Sequence, residues 1–120
     1  MDKVADARPK AHYLRIWKTV NAIPKGKVSS YGQVADLAGL PGRARLVGKS
    51  LGHVPKDMQV NWHRVLRANG HIAFAKGSDA ALKQTGLLQE EGVVVLKHRV
   101  KLKEFGWQPD LLTLLQELEF

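Results

Sequence analysis

The sequence contains no cysteine. That absence removes disulfides, thiolate metal sites and thiol nucleophiles together. No segment approaches the roughly 20 consecutive apolar residues that a membrane-crossing helix needs, and the charged stretch Met1 to Lys10 has no apolar signal region. A soluble intracellular protein with no membrane partner is the expectation. The five histidines are scattered, and no two are spaced one helical turn apart as zinc ligands often are. There is no glycine-rich phosphate loop leading into a helix, and Ser29, Ser30 and Ser50 lack the sharp strand-to-helix setting of a serine nucleophile. No pair of carboxylates stands out for acid-base work. Neither metal, cofactor nor catalytic residue is therefore expected.

Acidic residues are scarce where basic ones gather. The chain of 120 residues carries 19 Lys and Arg against 11 Asp and Glu, a formal net charge of +8. Arg43, Arg45, Lys49, Lys56, Arg64, Arg67 and Lys76 follow one another with only Asp57 between them, and most acids come later, from Glu90 onward. An excess of this sign, concentrated in one segment, favours a polyanionic partner, with nucleic acid ahead of an acidic membrane surface. At 44% hydrophobic residues the chain can bury a core without disulfides or metal. Its length suits one domain, read as residues 11–120 behind a flexible tail of residues 1–10.

The hydrophobic pattern divides the chain into short helices. Leu14, Ile16, Trp17, Val20 and Ile23 recur at helical spacing, and Pro24 with Lys25-Gly26-Lys27 ends that element. Ser30 stands three residues before Gln33, the spacing of a capping box. The helix it opens should bury Val34, Ala35, Leu37 and Ala38 and stop at Gly39. After Leu40-Pro41-Gly42, a second helix from about Arg43 to Leu51 should bury Leu46, Val47 and Leu51. Two short helices joined by a Gly/Pro turn, the second rich in arginine, describe a helix-turn-helix. Further on, Asp79 to Glu90 reads as a helix with Ala81, Leu82, Leu87 and Leu88 as its apolar residues. Val93-Val94-Val95 reads as a short strand or extended piece. Pro109 and Asp110 open a last amphipathic helix whose apolar face is Leu111, Leu112, Leu114, Leu115 and Leu118. Trp17 and Trp107 read as core residues. The fold class is mainly α, a small single-domain winged helix-turn-helix-like DNA-binding fold with short β elements.

Three segments carry a more specific signal: Ser30-Tyr31-Gly32-Gln33-Val34-Ala35, Arg43-Ala44-Arg45-Leu46-Val47-Gly48 and Asn61-Trp62-His63-Arg64-Val65. In this order and at these spacings they resemble the DNA-binding domain of the O6-alkylguanine-DNA alkyltransferases, over roughly Tyr13 to Val95. That family carries a Pro-Cys-His-Arg-Val motif whose cysteine accepts the alkyl group. Here Trp62 stands at the cysteine position and Asn61 at the proline, which resembles the alkyltransferase-like branch, proteins that bind alkylated DNA without repairing it.

The resemblance implies roles residue by residue. Arg45 resembles the arginine that enters the base stack where a nucleotide has been turned out, and a planar guanidinium suits that place. Tyr31 resembles the tyrosine that presses on the 3′ phosphate. Gly48 resembles the glycine that lets the helix approach DNA closely; beside these, Arg43 is a more generic choice for phosphate and Lys49 a further DNA-binding candidate. Trp62 offers a flat apolar wall to a flipped base, in a lesion pocket with Tyr31, His63 and Phe74. His63 and Glu91, a pair that activates the thiolate in the enzymes, should survive as a structural network with Arg64, Gly92 favouring Glu91 over Glu90. His53 replaces an asparagine of the enzymes. Phe74 and Lys76 are the candidates on the loop from His71 to Ser78.

The function implied is non-enzymatic recognition of O6-alkylguanine by nucleotide flipping, with lesions handed to nucleotide excision repair proteins. Flipping costs a few kcal/mol, and less for a base whose pairing is already weakened. Two other readings remain: a transcriptional or architectural helix-turn-helix protein without lesion specificity, which leaves Trp62 unexplained, and a glycosylase-like enzyme using His63 and Glu91. A monomer is expected, located in the cytoplasm (at the nucleoid of a bacterium or in the nucleus of a eukaryote).

Overall fold

The computed structural model describes residues 10–118. The expected N-terminal tail lies outside these residues except for Lys10.

Helix α1 runs over Ala11–Ala22 and buries Tyr13, Ile16, Trp17, Thr19 and Val20. Of the apolar residues at helical spacing Leu14 is exposed, and Tyr13 is buried beside Ile16, Trp17 and Val20. Residues 13, 16, 17 and 20 share one face at the helical repeat, and position 14 falls beside it. Strand β1, Ser29–Ser30, leads directly into α2, Tyr31–Leu37. Ser30 caps this helix by accepting a hydrogen bond from the Gln33 backbone N–H. The capping box is only half formed. The Gln33 side chain turns away and instead links Ser29 to the Trp107 carbonyl. Gly39 follows α2 at φ +78°, the left-handed position that ends a helix at least cost when glycine occupies it.

Helix α3, Ala44–Leu51, packs on α1 and α2, with Arg43 as its N-cap. Val47 is fully buried, whereas Leu46 and Leu51 are only partly so. A single 3₁₀ turn, Trp62–Arg64, then enters strand β2, Val65–Leu66. β2 pairs in parallel with β1, Ser29 opposite Val65 and Ser30 opposite Leu66. Helix α4 spans Asp79–Glu90, α5 Leu102–Phe105 and α6 Leu111–Glu117.

The strand pair sits at a seam between two apolar clusters. Successive strand residues face opposite sides, so Val65 joins the cluster of Ile16, Trp17, Val20, Val34, Val47 and Trp107, while Leu66 joins that of Val28, Ile72, Ala81, Leu88, Val93 and Val100. Val93-Val94-Val95 forms no regular strand. It leads into a tight hairpin closed at Leu96 and Arg99, which also pairs with His71. This hairpin is the wing. Its two central residues, Lys97 and His98, both adopt positive φ, at 53° and 66°, the geometry of a type I′ turn.

Several leucines of these helices face solvent. Leu82 of α4 is exposed, because Ala81, Gln84 and Leu88 carry the buried face. In α6, Leu111, Leu112 and Leu115 are exposed, and Leu118, just beyond the helix, is the residue that packs on the first cluster. A seven-residue helix touching the core at one end presents most of an apolar face to solvent.

Candidate DNA interface and base pocket

The outward face of α3 is defined by what its other face buries. With Val47 and Ser50 inward, residues 45, 48 and 49 project outward, and Arg43, Arg45, Gly48 and Lys49 are all exposed. The helix has no acidic residue in its first turn. Among the described residues no ion pair engages Arg43, Arg45 or Lys49. A shallow depression of about 440 Å³ runs along Arg43, Ala44, Arg45 and Lys49. Unpaired cations on one side of a helix give this face a positive potential of the kind that attracts phosphate. His53 stands just past this helix, exposed, with Nδ1 2.8 Å from the Lys49 carbonyl and its ring against Tyr13.

Next to α3 is a separate cavity of about 360 Å³ lined by Tyr31, Gly48, Leu51, Gly52, Trp62, Phe74, Ala80 and Lys83. Thus the first residue of α2, the exposed turn of α3, the 3₁₀ turn, the 71–78 loop and α4 meet at one concavity. Trp62 and Phe74 stand edge to face, centroids 6.0 Å apart at 85°, a favourable aromatic geometry. Trp62 also meets His63 edge-on at 6.3 Å. Tyr31 is half-buried, and burial, opposed by the nearby Arg67 charge, raises its pKa above the usual phenol value. Its hydroxyl is therefore a neutral donor at physiological pH. An added Cβ on Gly48 would meet only Tyr31 Cε1, at 3.8 Å, so the protein's own packing does not require glycine there.

Behind the pocket, Glu91 is a hub. It takes a hydrogen bond from His63 Nε2 at 2.8 Å, a two-pronged fork from Arg64 Nε and Nη2, and the Gly26 backbone N–H at 3.0 Å. Burial works against its charge, but the bonds from Arg64, Gly26 and His63 outweigh it and hold the carboxyl at about 2. Facing a carboxylate, His63 Nε2 carries the hydrogen. Arg64 Nη1 also donates to the Ile23 carbonyl. Glu91, not the exposed Glu90, makes these bonds. The network pins the Trp62–Arg64 turn to the end of α4 and to the turn after α1.

Two further anchors were invisible in the sequence. Gln84, fully buried in α4, donates from Nε2 to the carbonyls of His63 and Val65, both at 3.0 Å. Asn21 holds the approach to Trp62, accepting from the Asn61 N–H and donating to the Gln59 carbonyl. Phe74 is positioned through the wing: the Ile72 N–H bonds the His98 carbonyl, and His98 Nε2 lies 2.7 Å from the Phe74 carbonyl. Lys76 is exposed on the same loop and does not line the cavity. Leu51, Gly52, Ala80, Lys83 and the neighbouring Arg67 are site residues that sequence reasoning missed. Only a helix register combined with the pocket's location could have singled them out. Among the described residues no cluster of histidines and carboxylates could hold a metal ion, and no helix is long and apolar enough to cross a membrane.

Comparison with known proteins gives this arrangement a family. Residues 11–93 match the DNA-binding domain described as "6-O-methylguanine DNA methyltransferase, DNA binding domain". The chain belongs to this family. It is 41% identical over 97 residues to a "DNA base-flipping protein" of Vibrio parahaemolyticus, covering 80% of this chain and 95% of the relative. It is 35% identical over 102 residues to "Alkyltransferase-like protein 1" of Schizosaccharomyces pombe, covering 81% and 94%. The crystal structure of S. pombe Atl1 in complex with damaged DNA containing O6-carboxymethylguanine superimposes with a TM-score of 0.76 at 34% identity, over 85% of this chain and 99% of that one. A "Methylated-DNA--protein-cysteine methyltransferase" of Mycolicibacterium paratuberculosis is 40% identical over 86 residues, but these cover only 51% of it. Against the enzymes of its family, this member is an alkyltransferase-like protein. It has no cysteine to accept an alkyl group, and the histidine–glutamate pair beneath Trp62 has no thiol to activate.

Proposed function

We propose that the protein recognises guanine alkylated at O6 in duplex DNA, turning the nucleotide out of the helix and holding it in the Trp62 pocket without removing the alkyl group. The observation that carries this reading is the position of Trp62. It forms one wall of a mostly apolar cavity of about 360 Å³ that opens beside Tyr31 and Gly48, on the cationic face of α3. A base that leaves the stack near α3 finds an aromatic face to stack on, and no thiol to accept its alkyl group. Arg45 takes the vacated place in the stack, Tyr31 presses on the adjoining phosphate, and Arg43 and Lys49 hold the backbone. The name of the Vibrio relative and the damaged DNA bound to S. pombe Atl1 support the same reading. O6-alkylation removes the normal Watson–Crick donor pattern, so the lesion flips at lower cost than guanine and selectivity begins before the pocket is reached. A protein that holds a lesion it cannot repair acts by marking it, and nucleotide excision repair is the recipient this reading assigns.

The test is a titration of two duplexes that differ by a single O6-methylguanine in place of guanine, with mass spectrometry of protein and DNA afterwards. Tighter binding to the modified duplex with both masses unchanged is the expected result. Equal binding would leave a general helix-turn-helix DNA-binding protein. Loss of the base would indicate glycosylase chemistry.

A further inference from the structure

One lining residue of the pocket has no part in the recognition described so far. Lys83 stands on α4, between Ala80 and the buried anchor Gln84, and contributes to the same cavity wall as Trp62 and Phe74. Among the described residues that line this cavity it is the only charged one. Asp79 precedes it by one helical turn, the spacing at which an acid and a lysine usually meet, yet no described residue forms an ion pair with Lys83. Asp79 instead begins α4, and Glu91, at the other end of that helix, is fully engaged by His63, Arg64 and Gly26. Arg67 adds positive charge next to Tyr31. Among the described residues, the pocket thus has mostly apolar walls with one cation and no carboxylate lining it.

We propose that Lys83 makes this protein favour O6 substituents that carry a negative charge, carboxyalkyl groups above neutral alkyl groups of the same size. The inference rests on the lesion-pocket reading above. An ammonium on a surface helix interacts only weakly with an anion in open water. When bound DNA covers the pocket, water is excluded and the same pair is strengthened. The apolar walls of Trp62 and Phe74 accommodate the methylene groups of a substituent, and Lys83 meets the charge beyond them. Its four-carbon stem lets the ammonium move to the anion, so the recognition is of charge and does not demand one substituent length.

The discriminating probes are three duplexes identical except at one base: guanine, O6-carboxymethylguanine, and O6-carbamoylmethylguanine, whose amide matches the carboxylate in shape but is neutral. The wild-type protein should bind the carboxymethyl duplex about fivefold more tightly than the carbamoylmethyl one, equivalent to about 1 kcal/mol. Lys83→Met should abolish that preference, and Lys83→Arg should retain most of it. Equal wild-type affinity for the two lesions, with both bound better than guanine, would overturn the role of Lys83 while leaving the lesion pocket intact. A preference that survives in Lys83→Met would overturn it too. If Lys83→Met weakens all three duplexes equally, the residue is a phosphate contact and the proposal fails. If neither lesion is bound better than guanine, it is the lesion-pocket reading itself that fails.

Discussion

Gly48→Ala should make the free protein more stable and a worse DNA binder. Gly48 lies inside α3, where glycine costs about 1 kcal/mol relative to alanine because its backbone has more freedom to lose. Its φ lies outside the left-handed region, so alanine can adopt the backbone without strain. The new Cβ would meet a single neighbour, Tyr31 Cε1 at 3.8 Å, an ordinary van der Waals contact. Nothing in the free molecule opposes the methyl group, and the gain should be about 0.5–1 kcal/mol. The same methyl group projects from the exposed face of α3 into the space that a DNA backbone or a rotated nucleotide would occupy. Displacing a close-packed surface by one methyl group costs about 1–3 kcal/mol, so affinity for lesion DNA should fall roughly tenfold. Urea unfolding of the free variant and fluorescence anisotropy with an O6-methylguanine duplex measure the two quantities on one sample. A variant that is both more stable and unimpaired in binding would refute the idea that Gly48 exists for the approach of DNA. A destabilised variant would refute the reading of the free structure.

Trp62→Ala should reduce affinity for the lesion duplex by about 1–3 kcal/mol, the value of one base–aromatic stack, and reduce affinity for plain DNA much less; equal losses in a parallel titration would argue against a stacking wall. Arg45→Ala should weaken lesion binding with the thermal midpoint unchanged, since its side chain is exposed and no described ion pair holds it; undiminished affinity would remove it from the stack. Glu91→Gln should cost about 2 kcal/mol in urea unfolding, because Arg64 keeps its bond to Ile23 but loses its ionic partner. The carboxyl is lowered from 4.5 to about 2 by folding, so its contribution is complete above about pH 4.5 and disappears as pH falls toward 2. Wild type should therefore lose more stability than Glu91→Gln across that window, and parallel curves would contradict the network.

Much of this protein was legible from local sequence. The helices α1, α2, α3, α4 and α6 follow hydrophobic periodicity and caps such as Ser30 and Asp110, which act within a few residues of themselves. The basic face of α3 was also readable, because helix geometry places residues 45, 48 and 49 together whatever surrounds them. So was the lack of a thiol to accept an alkyl group, because the sequence contains no cysteine. The exposure of the α4 and α6 leucines was not legible, since periodicity says which residues share a face but not whether anything packs against it. The strand pair escaped notice because two residues give no period to detect. The family resemblance named Tyr31, Trp62, Phe74 and the His63–Arg64–Glu91 network, but only tertiary structure decided the geometry of the pocket, its Lys83 wall and its Gln84 support. Tyr31, Trp62, Phe74 and Lys83 belong to four separate elements, Gln84 reaches the 3₁₀ turn from α4, and Glu91 joins residues as distant in sequence as Gly26 and Arg64. Contacts of that range are chosen by how the two apolar clusters close around the β1–β2 seam, which is a property of packing and leaves no periodic trace in the chain.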